Sequence, residues 1–377
     1  MPSHPTAMKP CNLLLVGGGH AHVAVLADWI SRGAPEGARG VLLTPERYLR
    51  YSGMVPGWLV GHHARDDGLV DLAALAQRAG VELVLGTCTA IDPAARVVRM
   101  VGGASIAFDL ASIDTGGVGR ARALLGDDPR LIDVRPISAF VDRVAALPAL
   151  GRVVVAGGGA GGVELAFGLR NHARGGAGPQ PEVTLVTGEG GLLPGFADAV
   201  RRKAALALAR QGIVAVAGRM ALERGTVIAG GASLEPVSTI IAALGSAAPN
   251  WARASGLACD AACFITVNQH QQSVSHPHIF AAGDVAARSD RPLPHSGVHA
   301  VFAGPVLAAN LRAALAGEAP DRAYRPRWNN LYLLDTGDGS AIASYGRLAA
   351  QGRWVLRLKH GIDRRWIARY AALAGRA

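Results

Sequence analysis

The sequence predicts an α/β protein with parallel sheets, and two glycine-rich turns indicate this most directly. The first turn follows the apolar residues 13–16, where Gly17 and Gly19 precede a helix-forming segment. The second follows the apolar segment Arg152–Ala156 and occupies residues 157–162. In a strand–turn–helix unit of this kind, the glycines permit a tight turn and let the backbone approach a pyrophosphate at the helix N-terminus. Two such units predict two Rossmann-like dinucleotide-binding domains.

The two turns differ in how well they match the pattern G-x-G-x-x-G. His22 stands at the third small position of the first turn, so this copy alone is weak evidence. In the second turn all three positions are glycine: Gly157, Gly159 and Gly162. Because each turn opens a helix, the pair predicts one dinucleotide for each unit.

Length and composition are consistent with two packed domains. The chain has 377 residues, half of them hydrophobic and 49 of them glycine, enough for two cores. The sequence contains no apolar run that we expect to cross a bilayer, and the start MPSHPTAMKP lacks the apolar core of a signal peptide. A cytoplasmic location is therefore expected. Four scattered cysteines do not suggest a disulfide framework; Cys259 and Cys263 are either a redox pair or, more simply, small residues in a turn.

The net charge of +10 is concentrated near the C-terminus. Residues 347–376 hold seven arginines and one lysine against one acid, Asp363, and so supply +7. Since no nucleic-acid recognition motif accompanies this charge, we expect no nucleic-acid partner. An apolar stripe recurs at helical spacing there: Ile362, Trp366, Tyr370 and Leu373. Such a helix either lies on a membrane surface or docks on its own protein or a twin subunit in a homodimer.

Strands and helices alternate along the rest of the chain. The segment 48–57 has little periodicity and is predicted to be a loop. Helices are predicted at 70–79, at 137–147, where Pro148 stops the helix, and at 196–210. Strands are predicted at 40–43, 81–85, 96–100, 105–108, 108–114, 182–186, 213–217 and 239–243.

The strand that follows each glycine unit carries information about the ribose. An acid at the end of this strand usually binds the ribose hydroxyls. In the first unit Thr44 holds that place and Glu46 lies two residues on, either as a ribose ligand or as a solvated loop residue. In the second unit Thr187 is uninformative, while Glu189 and the lack of an adjacent arginine tilt the prediction slightly towards NADH rather than NADPH.

A third signature lies at residues 278–284, where a short apolar strand ends in Gly283 and Asp284. The carboxylate is suited to accept hydrogen bonds from polyol hydroxyls, and the glycine permits close approach. The alternative is an aspartate that caps the next helix. His295 and His299 follow and are candidates for a proton shuttle, although packing or surface roles are the simpler interpretation.

Together these motifs resemble the two-dinucleotide-binding flavoproteins of the pyridine nucleotide-disulfide oxidoreductase fold. The order is a glycine unit, an ATG-like strand that ends at Thr115 and Gly116, a second glycine unit and a GD motif. Within that fold GGGHAHVAVL, YSGMVPG, GGGAGGVELA and the basic Trp-containing tail are similar to the NADH-dehydrogenase-like domain fused ahead of selenide, water dikinase. The likeness to type II NADH dehydrogenases is more distant.

The resemblance implies FAD in the first unit and NADH or NADPH in the second. It implies a discontinuous FAD domain, 1–117 with 265–315, an inserted NAD(P)H domain, 118–264, and a small C-terminal basic segment, 316–377. The implied contacts to FAD are Gly17, Gly19, His20, His22, Thr44, Glu46, Thr115, Gly116, Gly283 and Asp284. The implied contacts to NAD(P)H are Gly157, Gly159, Gly162 and Glu164.

The implied activity is hydride transfer from NAD(P)H to the flavin and electron transfer to a second acceptor, a quinone being one candidate. No catalytic residue is certain, and no metal is expected. The paired cysteines of disulfide reductases are absent, and SGVHAVFAG stands where type II dehydrogenases carry an AQ-type motif near the quinone. The alternative is a low-turnover flavin- or nucleotide-binding partner protein, linked by analogy to selenium metabolism. The implied location is cytoplasmic, with peripheral binding to the inner face of the cytoplasmic membrane as a further alternative.

Overall fold

A computed structural model describes residues 11–172 and 180–375 of the chain. The sequence start MPSHPTAMKP and Arg376 lie outside the described residues. The model contains two five-stranded parallel sheets, which confirms the α/β prediction with Rossmann-like units. The first sheet has the spatial strand order Ile279–Ala281, Leu110–Ile113, Cys11–Val16, Ala38–Thr44 and Val81–Leu85. The strand Ile279–Ala281, which comes late in the chain, therefore returns to the sheet that Cys11–Val16 begins.

The second sheet draws all its strands from the middle of the chain. Its spatial order is Leu131–Asp133, Thr239–Ala242, Arg152–Ala156, Glu182–Val186 and Val214–Val216. Each sheet is covered by apolar residues on both faces, as parallel sheets require. One hydrophobic cluster, which includes Phe140, Phe167 and Leu185, covers one face of this sheet, and a second cluster covers the other.

Smaller elements join and flank the two sheets. The short strands are Tyr48–Arg50, Leu69–Asp71, Cys88–Asp92, Val97–Met100, Ser105–Ala107, Met220–Glu223, Thr226–Ala229, Ala232–Ser233, Ile265–Val267 and Ala286–Arg288. The α-helices before the C-terminal unit are His20–Arg32, Val55–Leu59, Leu72–Ala79, Ala121–Leu125, Ile137–Ala146, Ala160–Arg170, Asp198–Arg210, Asn250–Ala254 and Gly297–Leu315. Single 3₁₀ turns occupy Ser52–Met54 and Gly283–Val285.

The prediction of a loop over 48–57 is wrong. The segment forms a short strand, a 3₁₀ turn and the helix Val55–Leu59, in which Pro56 lies in the first turn. Proline there pre-sets a helical φ and removes an N–H that would have no intrahelical partner. Such a short helix has too few residues to show a period, so its formation depends on packing against Ala160–Arg170, where Gly168 lies beside Leu59.

The helix Gly297–Leu315 corrects the expectation about apolar runs. By length and composition it meets the requirements for a membrane span, but half of it is buried within the protein. It packs against the helix His20–Arg32, and Gly304 lies so close to Ala21 and Ala24 that a Cβ would overlap the Ala24 Cβ at 2.6 Å. The buried Asn310 also bonds to backbone carbonyls. These contacts are those of a core helix.

The C-terminal unit consists of a three-stranded antiparallel sheet and one long helix. The strands are Leu331–Asp335, Ala341–Tyr345 and Leu348–Gly352, and the helix is Arg353–Leu373. The predicted helical stripe is only partly exposed: Tyr370 is buried and Trp366 packs on the core of the first sheet, whereas Ile362 faces solvent. For Trp366 and Tyr370, docking on the protein's own surface is therefore correct, and the membrane interpretation of these two residues is wrong.

Candidate functional site

The first glycine turn lies where two parallel strands of the first sheet end side by side. Gly17 has φ +98°, and a Cβ there would lie 2.5 Å from the carbonyl oxygen of Asp114. Only glycine satisfies both conditions. Among the described residues the N–H groups of Gly18, Gly19 and His20 form no backbone hydrogen bond outside the helix. These donors, at the N-terminus of the helix His20–Arg32, fit the pyrophosphate of a dinucleotide.

His22 replaces the third glycine without disturbing the start of the helix. The N–H of Val23 donates to Gly19 at 3.1 Å, and that of Val163 donates to Gly159 at 3.0 Å in the second unit. The fully buried imidazole donates from Nδ1 to the carbonyl of Gly17 at 2.6 Å and accepts at Nε2 from the Ser112 hydroxyl at 2.9 Å. Burial lowers the pKa of His22 to about 4. The ring is therefore neutral, and its two hydrogen bonds stabilise the turn; the buried side chain is not exposed to a ligand.

Asp114, which the sequence analysis did not single out, places a buried carboxyl group beside this turn. Its Oδ2 accepts hydrogen bonds from the N–H groups of Ala21 at 2.7 Å and His22 at 3.1 Å. Burial raises the pKa of Asp114 to about 7, and the two N–H groups oppose that rise. The carboxyl group can therefore be neutral near pH 7, which suits an anion bound at the adjacent N–H groups.

The other predicted residues of the first unit surround the turn. Thr44 is buried and donates to the carbonyl of Glu46 at 3.3 Å, while Glu46 itself is exposed. Thr115 is exposed, and Gly116 has φ +71°. Glu46 and Thr115 thus remain accessible to a ligand, and Thr44 supports the turn. Their contacts with FAD stay predictions.

The GD motif opens onto a cleft of about 420 Å³ that is open to solvent. Asp284 lies in its wall and accepts a hydrogen bond from Arg135 at 2.7 Å. In the described structure Asp284 is thus part of an ion pair and does not cap a long helix. A Cβ on Gly283 would lie 2.4 Å from the Asp114 carboxylate, so the glycine allows the first turn and the GD motif to meet.

The two candidate histidines line the same cleft. His295 stacks on Phe264 with ring centroids 3.9 Å apart. His299 is buried, its Nδ1 lies 2.9 Å from the Tyr324 hydroxyl, and burial lowers its pKa. Both are neutral imidazoles beside Asp284, and the structure assigns neither a reacting group as partner. Their roles in proton transfer stay predictions.

The second glycine turn is more open than the first. A Cβ on Gly162 would lie 1.9 Å from the carbonyl oxygen of Gly157, which explains the need for the third glycine. A Cβ on Gly159 would meet nothing within 4 Å, so a ligand can approach the helix N-terminus closely. This arrangement fits the pyrophosphate of NAD(P)H.

The ribose end of the second unit corrects one sequence argument. Glu189 pairs with Arg219 at 3.0 Å. The arginine comes from the segment after the strand Val214–Val216, which adjoins the strand that precedes Glu189. An arginine is therefore close in space although none is adjacent in sequence. Both an acid and an arginine are available, so the slight preference for NADH loses its basis.

Glu164 lies in a buried charged cluster that joins the second sheet to the C-terminal unit. Its Oε1 accepts from the N–H of Asp335 at 2.9 Å and lies 3.5 Å from Nζ of Lys359. Lys359 also donates to the carbonyl of Gly53 at 2.9 Å and lies 3.3 Å from Asp363. Burial raises the pKa of Glu164 to about 7, and Lys359 opposes the rise. Protein groups thus already bind this carboxylate, and its contact with NAD(P)H stays a prediction.

An aromatic contact fixes the C-terminal helix beside the first turn. Trp366 stacks on Tyr51 with ring centroids 4.5 Å apart and contacts His20 at 5.3 Å. The hydroxyl of Tyr51 donates to Asp363 at 3.1 Å. Burial lowers the pKa of His20 to about 4. The side chain of His20 is thus packed between aromatic groups, and its backbone N–H is the part that faces the proposed anion site.

Two parallel sheets that each end in a glycine turn, with a GD motif beside the first, define a two-nucleotide oxidoreductase. Residues 11–304 match the family described as pyridine nucleotide-disulphide oxidoreductase, and the chain belongs to that family. Its cofactors are FAD and NAD(P)H, and it is an FAD-dependent NAD(P)H oxidoreductase. The residues of both turns fit these groups as described above.

Solved structures share the fold at low sequence identity. The sulfide:quinone oxidoreductase from Aquifex aeolicus superposes with a TM-score of 0.76 at 19% identity, over 96% of this chain and 92% of that one. The NAD-dependent persulfide reductase from A. fulgidus gives 0.73 at 19% identity, over 93% and 66%. A ferredoxin reductase from Rhodopseudomonas palustris gives 0.69 at 21% identity, over 88% and 81%. No curated protein matches the chain by sequence.

Proposed function

We propose that this oxidoreductase passes electrons from NAD(P)H to a quinone at a membrane surface. When bound, FAD supplies the redox chemistry by accepting hydride and releasing electrons. The protein's own residues bind, orient and screen the two nucleotides. The glycine turns hold the pyrophosphates, and Asp284, fixed by Arg135, is placed to accept hydrogen bonds from hydroxyl groups of FAD in the cleft.

The proposal of a membrane surface rests on the outer face of the helix Arg353–Leu373. Trp354, Leu358 and Ile362 recur every fourth residue and are 57%, 41% and 44% exposed. Exposed arginines lie on the same outer face: Arg353, Arg357, Arg364, Arg365 and Arg369. An apolar ridge with basic residues around it is typical of a helix that lies in the interface of an anionic bilayer. This face differs from the predicted stripe, of which it shares only Ile362.

Two further aromatic residues outside this helix are also exposed. Trp328 is 98% exposed, and Phe302, beside the guanidinium of Arg327, is exposed as well. Phe302 lies on the helix that carries His299. An exposed apolar residue thus lies on the helix that also lines the cleft at Asp284, which supports an acceptor that arrives from a lipid phase. We place the protein at the inner face of the cytoplasmic membrane.

The acceptor is tested with the purified protein loaded with FAD. Anaerobic NADH or NADPH should bleach the flavin absorbance, and a soluble quinone should restore it within turnover time. Bleaching without reoxidation by quinone contradicts the quinone assignment, while persistent oxidised flavin favours the low-turnover alternative. A selenium compound in place of the quinone tests the predicted link to selenium metabolism, which rests on resemblance alone.

The membrane surface is tested separately. The triple variant Trp354→Ser, Leu358→Ser and Ile362→Ser should lose sedimentation with anionic liposomes and turn over membrane-embedded quinone more slowly. Soluble-quinone activity should be unchanged. The matched control is Leu206→Ser, since Leu206 is 64% exposed on a helix of the second domain. Equal sedimentation of both variants and the unaltered protein, or no sedimentation at all, contradicts this part.

A further inference from the structure

Three side chains that neither nucleotide needs converge beside the C-terminal helix. His62 follows the helix Val55–Leu59, Asp335 ends a strand of the C-terminal sheet, and His360 lies in the C-terminal helix. Oδ2 of Asp335 is 3.7 Å from Nδ1 of His62 and 4.0 Å from Nε2 of His360. All three potential ligand atoms lie within 4.8 Å of one another.

Two of these atoms are buried without a hydrogen-bond partner in the described part of the chain: Oδ2 of Asp335 and Nε2 of His360. Asp335 is 1% exposed, and its other oxygen accepts from the N–H of Gly337 at 2.8 Å. That bond fixes the carboxylate while Oδ2 remains near the imidazoles. A buried polar oxygen with no partner is costly, so the arrangement is explained if a ligand binds it.

Nearby cations do not fill this role. The Lys359 ammonium is bound by the carbonyl of Gly53 and lies close to Glu164 and Asp363. The separations of the Asp335 oxygen from the two imidazole nitrogens exceed hydrogen-bonding distance. They are slightly longer than the roughly 3.3 Å expected between two ligands of a tetrahedral zinc with bonds near 2.05 Å. Binding a zinc ion would require the two Asp335 separations, 3.7 Å and 4.0 Å, to shorten by about 0.4 Å and about 0.7 Å.

We propose that His62, Asp335 and His360 bind one divalent zinc-class ion. Two imidazoles and a carboxylate are ligands that zinc prefers, and three protein ligands leave a fourth position for water. His63, whose ring centroid is 4.9 Å from that of His360, is the nearest further imidazole. The ion joins the segment after Val55–Leu59 to the C-terminal unit, and it thereby fixes the helix that carries Lys359 and Trp366.

The test uses the full chain without an affinity tag, titrated with Zn²⁺ against a chelating dye and with Co²⁺ monitored by its visible absorption. One ion per chain is expected, with a tetrahedral Co²⁺ spectrum. Asp335→Asn keeps the acceptor for Gly337, and His360→Gln keeps most of the volume; each should weaken binding by roughly 100-fold. The control His276→Gln alters a histidine that bonds to Ser275 and should bind as the unaltered protein does.

Zinc should also raise the Tm of the unaltered protein and of the control, but not of the two ligand variants, because an ion that binds only the folded state stabilises it. Far-UV circular dichroism checks that each variant is folded. His62→Gln, at an exposed position, replaces any variant that does not fold. The proposal is overturned if the unaltered protein takes up no zinc in large excess, or if the ligand variants bind it as tightly as the control.

Discussion

Asp114 gives the sharpest prediction about FAD, because its carboxyl group lies beside the N–H groups that fit the pyrophosphate. Its pKa is raised from 3.8 to about 7, and one pKa unit corresponds to 1.36 kcal/mol. Ionising it in the folded protein therefore costs about 4 kcal/mol more than in water. A pyrophosphate at the adjacent N–H groups adds negative charge and raises this pKa further. FAD should thus bind the protein with Asp114 protonated.

The sign of the pH effect follows from that linkage. Below about pH 7 Asp114 is already protonated and FAD binding takes up no proton. Above it, binding must first protonate the carboxylate, so the Kd rises with pH by a factor that approaches tenfold per unit. With a pKa near 7, we expect the Kd for FAD to rise roughly 50-fold between pH 7 and pH 9.

Asp114→Asn removes the titration while it keeps an oxygen that accepts from Ala21 and His22. The Kd for FAD of this variant, measured by quenching of flavin fluorescence, should be nearly independent of pH from 7 to 9. The stability of the protein without FAD also depends on the protonation of Asp114. Since the pKa is raised from 3.8 to about 7 in the folded protein, the free energy of unfolding falls as the pH rises from about 4 to about 7 and is level above that. The variant should therefore have the higher Tm at pH 8.

Asp109→Asn is the matched control, because Asp109 precedes the other end of the same strand and binds Asn12 there. It should keep the pH dependence of the unaltered protein. The reasoning about Asp114 is refuted if the Kd of the unaltered protein for FAD is flat between pH 7 and pH 9. It is refuted as well if Asp114→Asn shows the same slope as the control.

Three further predictions concern the second unit and its contact with the C-terminal helix. Gly162→Ala should lower the Tm and raise the KM for NAD(P)H, since its Cβ would lie 1.9 Å from a carbonyl oxygen. The control Gly161→Ala, whose Cβ would meet nothing within 4 Å, should change neither quantity. Equal Tm values for the two variants would contradict the packing argument. Lys359→Met should lower the free energy of unfolding by about 3–5 kcal/mol at pH 8. The loss should be smaller at pH 5, because Glu164, with a pKa of about 7, is protonated there. Urea unfolding at both pH values measures this, and a loss that is independent of pH counts against it. Glu189→Ala should raise kcat/KM for NADPH relative to NADH because it frees Arg219; an unchanged ratio would show that this pair does not select the nucleotide.

The sequence predicted the parts of the fold that depend on local pattern. Buried parallel strands are continuous apolar runs, and each glycine turn has a conformational need that other residues cannot meet. The pairing of Asp284 with Arg135 spans 149 residues and that of Tyr51 with Asp363 spans 312. Such contacts depend on how the domains pack, and no period in the sequence encodes them. The role of Asp114 was accessible in principle, since a carboxyl group at the end of a buried strand demands a partner.

The contacts of the C-terminal helix likewise depend on domain packing and could not be predicted from its sequence pattern. A helical stripe identifies an apolar face but not the surface that covers it. The stripe of Ile362, Trp366, Tyr370 and Leu373 left two alternatives open, a membrane surface or the protein itself, and Trp366 and Tyr370 pack on the first domain. Trp354 and Leu358 were not part of that stripe. The helix is amphipathic on two sides: one carries Lys359 and Asp363 into the contact with both domains, and the other carries the exposed apolar ridge. The exposed apolar ridge and the buried contact of Lys359 with Glu164 therefore lie on opposite sides of one helix.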